Sequence, residues 1–315
     1  MAKAAGLPFF VFTMTGPFYI VGPTATGKSE IAAAVARQCD GEIVNADAFQ
    51  IYQGLDLLTA KPEQATLSSV PHHLIGVTSL TEQMNAEKFR RAAIAALRNI
   101  RSRGKQPFVA GGTGMYVKAL THGLSPLPSA NAELRHHLND LTVDELMARL
   151  AEVDPDTARV IDCRNKHRVL RALEICLLTG RPASVQRQRA AATNAAAGIF
   201  VFRDRSELYE RINQRVQMMF ANGVVDEVRS TGETSTTAAK TLGLEEIRDL
   251  IAQKISEADC VAAIQQATRR YAKRQLTWFQ RQTSFEPLNL SRIGSSEAIE
   301  WIARKARLSF AQQDD

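Results

Sequence analysis

The segment Gly22-Pro23-Thr24-Ala25-Thr26-Gly27-Lys28-Ser29 constrains the fold more tightly than any other stretch of the chain. It fits G-x-x-x-x-G-K-[ST], a loop whose backbone N–H groups wrap a phosphate chain while the lysine offsets charge and the serine holds Mg²⁺. Its flanks fit as well: residues 17–21 read as a buried strand leading in, and residues 30–38 are alanine-rich and helical leading out. A strand–loop–helix unit sets the positive end of the helix dipole beneath the phosphates. A glycine-rich turn that merely capped a helix would not need Lys28 followed by Ser29. The loop alone does not say which phosphate compound it holds, although nucleotides are its usual guest.

The rest of the chain extends this start into an α/β core. Further strands are expected at residues 42–46, 107–110 and 198–202, and helices alternate with the first of them. The clearest helix is residues 86–102, where Phe89, Ala93, Ala96, Leu97 and Ile100 keep helical spacing. Strands separated by helices imply a parallel sheet with right-handed crossovers. After Gly123 the texture changes: Pro126, Pro128 and Ser129 mark a break, and helical segments follow at 132–138, 143–153 and 166–178. Gly180-Arg181-Pro182 stops the last of these. The expected organisation is a core of residues 1–123 and 198–315 interrupted by a helical insertion, residues 124–197. Everything from Ser206 onward reads as helical.

Composition narrows the class. The chain has 315 residues, 45% apolar and 23% charged, with a net charge of +6. These values suit a soluble globular protein with one large or two ordinary domains. No apolar run is long enough to span a bilayer. A signal-peptide reading of residues 7–20 would put cleavage almost on the phosphate loop, so an irregular tail feeding the first strand is expected instead. Cys39, Cys163, Cys176 and Cys260 lack metal-ligand or CxxC spacing, as expected for reduced thiols in a cytoplasmic protein.

Four further groups carry candidate chemistry. Asp47 follows the strand at 42–46, and ligands of open parallel sheets sit outside the strands' carboxyl ends. It reads as a Mg²⁺ partner, a general base, or a plain N-cap or turn acid. Gly111-Gly112-Thr113-Gly114 lies at another strand end and opens a helix; Thr113 would serve an oxyanion or bridging phosphate oxygen, or simply cap the helix. Arg164, Arg168 and Arg171 recur at i, i+4 and i+7 on a helix whose other face carries Leu170, Leu173 and Leu177. They are either a phosphate grip or a solvated face. The stretch from Ile264 to Arg281 holds Arg269, Arg270, Lys273, Arg274 and Arg281 and no acid. On a helix Arg270, Lys273, Arg274, Thr277 and Arg281 share one face, while Ile264, Tyr271 and Trp278 fall on another. Such a helix docks by its aromatics and offers cations to a phosphate backbone, or to water alone.

Together these residues resemble the tRNA dimethylallyltransferases. The likeness rests on the loop at 22–29, Asn-Ala-Asp-Ala-Phe-Gln-Ile-Tyr (45–52), Thr-Ala-Lys-Pro (59–62) and Pro-His-His-Leu (71–74). It continues with Gly-Gly-Thr-Gly-Met-Tyr (111–116), Gly-Leu-Ser-Pro-Leu-Pro (123–128) and Arg-Val-Leu-Arg-Ala-Leu-Glu (168–174). Arg-Ile-Asn-Gln-Arg-Val (211–216) and Arg-Tyr-Ala-Lys-Arg-Gln-Leu-Thr-Trp-Phe (270–279) complete the set, in family order.

The resemblance implies a P-loop NTPase-like fold in which the loop holds the diphosphate of dimethylallyl diphosphate rather than ATP. The dimethylallyl group would pass to N6 of adenosine 37, beside the anticodon of tRNAs reading codons that begin with U. It implies Lys28 at the leaving group, Ser29 on Mg²⁺, Asp47 as the acid accepting the amine proton, and Thr113 at the bridging oxygen. Implied tRNA contacts are Asp47, Ala48, Phe49, Gln50, Thr113 and Arg135, then His167, Arg168, Val169, Leu170 and Arg171. Lys240, Gly243, Lys273, Arg274, Gln275, Thr277, Trp278 and Gln280 complete them. The chain is expected to be a cytoplasmic monomer with the anticodon stem-loop as its partner. A relative that prenylates free adenine nucleotides would share the loop, Asp47 and Thr113 but need neither the insertion nor the basic helix. A P-loop kinase or RNA-binding ATPase would want a further apolar strand ending in Asp. The chain departs from the family pattern at Ala48, Leu58, Cys163-Arg164-Asn165 and Leu244-Glu245.

Overall fold

A computed structural model describes residues 16–125, 127–187 and 196–314. The N-terminal tail, Pro126 and most of the alanine-rich stretch before residue 198 lie outside them. The chain divides into two compact units, residues 1–120 with 195–315, and residues 121–194.

The first unit is built on a parallel sheet. Its strands are β1 (Phe18–Val21), β2 (Gly41–Asn45), β3 (His72–His73), β4 (Gln106–Gly111), β5 (Gly198–Phe202) and β6 (Glu286–Asn289). Their spatial order is β3-β2-β4-β1-β5-β6, with every neighbouring pair parallel. β1 therefore lies between β4 and β5, and the turns after β1, β2 and β4 open at one end of the sheet.

Alternation along the strands feeds a core on each face. Phe18 and Ile20 pack with Ile31, Val35 and Ala36 of α1 (Lys28–Gln38), and with Ile302 and Phe310 of the C-terminal helix. Tyr19 and Val21 face the other way, onto Phe89, Ala93 and Ile100 of the helix at Ala86–Ser102. A short helix α2 (Gln64–Ser69) precedes β3, and that amphipathic helix is α3; Asn85 caps it by accepting from the Glu87 and Lys88 amides. α4 (Gly114–Thr121) follows β4.

The second unit has its own core of Leu138, Leu146, Leu150, Val169, Leu170 and Leu173. It contains α5 (Ala132–Asn139), α6 (Val143–Val153), α7 (Pro155–Val160), α8 (Lys166–Thr179) and α9 (Ala183–Arg187). α6 starts on a capping box between Thr142 and Glu145. Gly180 ends α8 in the left-handed conformation, φ 63°.

Back in the first unit follow α10 (Arg205–Ala221), α11 (Val224–Arg229), α12 (Leu244–Ile251), α13 (Glu257–Gln282) and α14 (Ser295–Asp314). The expectation that all chain after Ser206 is helical is corrected by β6. Its sequence, Glu-Pro-Leu-Asn, has no apolar alternation, and its proline is tolerated because the strand lies at the sheet edge. β3 also escaped the sequence reading, since two residues carry no period.

The departures at Leu58 and Leu244 meet in one apolar cluster with Val216 and Ile264. Gly243 begins α12 with φ 89°, and a Cβ there would stand 2.9 Å from Leu58 Cδ1. Leu244 is thus a core residue, and the departure there changes packing.

Candidate active site

The phosphate loop is shaped by arginines from one helix and one strand end. Arg211 Nε donates to the Ala25 carbonyl at 2.8 Å, and Arg203 Nε to the Thr26 carbonyl at 2.9 Å. The C=O and N–H of a trans peptide point in opposite directions, so pinning these carbonyls turns the Thr26 and Gly27 amides to the opposite side. Ala25 and Gly27 take positive φ, 63° and 87°, and give the concave backbone that an anion needs. The N-terminus of α1 adds its dipole.

Two cations are buried at this loop. Lys28 Nζ donates to the Pro23 carbonyl at 3.3 Å; burial pulls its pKa down to about 8, with Asp47 opposing that shift and Arg215 adding to it. Arg215, on α10, donates to Thr24 Oγ1 at 3.0 Å and to the Thr59 carbonyl at 3.3 Å. Burial brings its pKa down to about 10, again against the pull of Asp47. Neither forms an ion pair within contact distance among the described residues. A pocket whose positive charge no contacting carboxylate offsets among the described residues suits a polyanion.

Asp47 lies two residues past β2. Its Oδ1 accepts from the Phe49 amide at 2.9 Å and the Gln50 amide at 3.4 Å, the turn role that the sequence left open. Oδ2 has no hydrogen bond among the described residues. Thr113 Oγ1 accepts from the Ala48 amide at 2.9 Å, so the turn after β4 is latched to the turn after β2. Burial raises the pKa of the Tyr271 hydroxyl, with Asp47 adding to that shift and Thr113 and Gln275 opposing it. Tyr271 also tilts against Phe49, with ring centroids 5.9 Å apart.

Two cavities open here. The smaller is lined by Lys28, Ser29, Asn45, Asp47 and Gln50. The larger, about 50 Å³, is polar at Thr24, Asp47, Thr59 and Arg215 and apolar at Leu58, Ile212, Val216, Met219 and Ile264. Ser29, Asn45 and Asp47 offer hard oxygen and amide donors, which suit Mg²⁺ better than a softer metal. Among the described residues no group of three or more His, Cys, Asp or Glu could cage an ion. A magnesium ion would therefore rest on Ser29 and on the phosphate oxygens of a bound substrate.

Several sequence-predicted contacts sit differently from expectation. Gln275 is 5% exposed, and its side chain is spent on Thr24 and Gly112. Gln50 is buried too, and its amide donates to the Thr59 and Ala60 carbonyls. Gly243 lies in the core beside Leu58. Trp278 packs on Gly114, where a Cβ would stand 2.3 Å from the indole. Ala48, Phe49 and Thr277 are half-buried, whereas Lys240, Lys273, Arg274 and Gln280 are exposed.

In the second unit, His167 and Arg168 are exposed at the start of α8, but Val169 and Leu170 are core side chains. Arg164 precedes the helix and so does not share a helical face with Arg168 and Arg171. Arg135 and Arg171 both bind Glu174, which is wholly buried; Arg171 also donates to the Pro128 carbonyl. The sequence reading missed Arg203, Arg211 and Arg215. The i, i+4 pair Arg211 and Arg215 was visible in the 211–216 motif, but nothing local said that it faced the loop.

The sequence profile described as IPP transferase matches residues 50–282. A tRNA dimethylallyltransferase 1 of Pelobacter propionicus is 44% identical over 282 residues, 84% of this chain and 91% of that one. The corresponding protein of Citrifermentans bemidjiense is 42% identical, covering 82% and 87%. Among solved structures, the full-length tRNA isopentenylpyrophosphate transferase of Bacillus halodurans superposes with a TM-score of 0.69 at 31% identity, covering 96% of this chain and all of its own. A eukaryotic dimethylallyltransferase acting on tRNA reaches a TM-score of 0.77 at 24% identity, over 91% of this chain and 78% of that one, which is a likeness of fold.

Proposed function

The chain belongs to the IPP transferase family, whose curated members here are tRNA dimethylallyltransferases, and on that premise we propose that it prenylates tRNA. The donor is dimethylallyl diphosphate, the acceptor is N6 of adenosine 37 in tRNAs reading codons that begin with U, and diphosphate is released. The observation that carries this reading is the placement of Asp47 at both cavities, one shared with Lys28 and the other with Arg215. A base and a diphosphate cradle are thus within one site.

The adenine amine is a weak nucleophile because its lone pair is conjugated with the ring. The allylic C–O bond must loosen first, and charge builds on the departing diphosphate. Lys28, Arg215 and the loop amides stabilise that charge from fixed positions, each such donor contributing about 3–4 kcal/mol in comparable sites. Thr113, held by the Ala48 amide, can donate its hydroxyl proton to the bridging oxygen. The amine nitrogen forms the new C–N bond as C–O breaks, and Asp47 Oδ2 takes the proton that it sheds. Bound Mg²⁺ would supply further charge neutralisation at the diphosphate, held by Ser29. The target base must leave its stack, which an unpaired loop nucleotide does at least cost. Exposed Lys273 and Arg274 on α13 would meet the RNA backbone, and within the helical unit exposed His167 and Arg168 at the start of α8 would do the same.

One assay tests this. Labelled dimethylallyl diphosphate is offered with unmodified tRNA, with AMP, or alone, and ATP hydrolysis is followed in parallel. Label should enter tRNA. Label entering AMP but not tRNA, or ATP turnover without prenyl transfer, overturns the reading.

A further inference from the structure

Gln275 sits on the RNA-facing helix yet points into the catalytic centre. Its Oε1 accepts from the Thr24 amide in the diphosphate loop at 2.9 Å, and its Nε2 donates to the Gly112 carbonyl, beside Thr113, at 2.8 Å. The side chain is 5% exposed, so both bonds are shielded from water. The Gln275 amide occupies the space left by glycine at 112: a Cβ there would stand 2.4 Å from its Nε2 and 3.0 Å from the Gly22 carbonyl oxygen. One turn earlier Tyr271 tilts against Phe49, and one turn later Trp278 covers Gly114. Residues 271, 275 and 278 thus form one inward stripe of α13, while Lys273 and Arg274 on the same turns are exposed.

We propose that Gln275 is a positioning residue that sets the diphosphate loop against the Thr113 turn and makes occupancy of α13 by RNA felt at the donor site. An amide is the group this place requires. It must accept from one backbone N–H and donate to one backbone C=O, and glutamine does both without charge. The loop holds the leaving group and the turn holds Thr113, so their separation fixes where the bridging oxygen lies relative to its donor. α13 is a single helix of 26 residues, so a load on its cations is transmitted to the stripe beneath as a rigid displacement. The coupling is reciprocal by linkage: if tRNA tightens the hold on diphosphate, diphosphate tightens the hold on tRNA by the same factor.

The proposal rests on the tRNA-prenylation reading, and its test separates the two. Inorganic pyrophosphate binding is titrated with and without unmodified tRNA, for the natural chain and for Gln275→Leu, Gln275→Glu and Gln275→Met. The natural chain should bind pyrophosphate about five- to tenfold more tightly with tRNA present, within the usual span of coupling. Gln275→Leu should bring that ratio close to one; it leaves the Thr24 amide and the Gly112 carbonyl unpaired, so its melting temperature should fall as well. Gln275→Glu, which keeps the acceptor for Thr24 but loses the donor for Gly112, should fall between. If Gln275→Leu does not fold, the Glu and Met variants decide. A ratio of one in the natural chain, or a ratio unaltered in the variants, overturns the proposal while leaving prenylation intact. Failure of the natural chain to bind tRNA at all sinks the functional reading instead.

Discussion

Arginines tie down structure in both units of this molecule, and they do opposite things. In the helical unit Arg135 and Arg171 converge on Glu174, a carboxylate with no exposed surface, which they hold ionised below its usual range against the cost of burial. One of their two charges is offset by the buried carboxylate, and that pairing fixes both side chains. In the α/β unit Arg211 and Arg215 bind backbone carbonyls and a threonine hydroxyl, with no ion pair among the described residues, and burial lowers the pKa of Arg215. Their charge is left over. A cation whose partner is a buried acid is part of the scaffold. One whose partners are neutral waits for a ligand, because neutral dipoles do not cancel a full charge.

The sharpest way to break this comparison is at the acid facing the unspent charge. Asp47→Ala should cut turnover by about 10²–10⁴-fold, the usual worth of a positioned base, while tRNA affinity holds. Single-turnover rates with saturating tRNA and gel-shift affinities measure the two separately. Collapse of tRNA binding with normal turnover of bound tRNA would reverse its assigned role. Next in size is the scaffold pair. Removing both Arg135 and Arg171 by alanine should destabilise the helical unit by about 3–5 kcal/mol in denaturant unfolding, since Glu174 is then buried without a partner. Adding Glu174→Leu should recover most of that loss. If stability never falls and only RNA binding does, both arginines belong to the interface and the distinction between the units fails.

The sequence disclosed the two regions unequally, for a local reason. β1, the phosphate loop and α1 are contiguous, and each residue type there answers to its neighbours, so the cradle was readable. α3 was readable too, because five apolar residues at helical spacing and an asparagine cap agree. The stripe of α13 was half visible. Tyr271 and Trp278 announced an inward face, and Gln275 stands at i+4 from the tyrosine on that face, yet a polar side chain in a basic stretch reads as RNA-facing until its partners Thr24 and Gly112 are known. Those partners lie 251 and 163 residues away in sequence. Arg171 shows the converse: a basic helix face looked free because Arg135, Glu174 and Pro128 meet only in the folded unit. Periodicity assigns a residue to a face, and it does not say what that face meets.

Titration gives a third and smaller test of the unspent charge. The pKa of Lys28 is lowered from 10.5 to about 8 without ligand. Below about 8 the lysine is charged in folded and unfolded chains alike, and the cost of burying that charge is fully present. Between about 8 and 10.5 the unfolded chain holds more protons, so the donor-free protein should gain stability as pH rises through this window. Pyrophosphate binding should go the other way, weakening by up to about tenfold per pH unit above 8 as the charge it needs is lost. Lys28→Met should remove both trends. Parallel trends in stability and binding would mean that another group governs the window.

The smallest effect is expected where a cation is exposed. Arg274 lies 5.6 Å over the Tyr271 ring and outside any ion pair among the described residues, so it resembles Arg215 in lacking an acid partner but not in burial. Water already screens it, and one exposed charge meeting one phosphate contributes mainly through the counterion it displaces. Arg274→Ala should therefore leave pyrophosphate affinity and single-turnover rate almost unchanged. The slope of log affinity for tRNA against log salt should become shallower by about one. Arg274→Lys, which keeps the charge and loses the planar contact with the ring, should restore the slope. An unchanged slope in Arg274→Ala, measured by fluorescence anisotropy across a salt series, would place this arginine with the solvated surface.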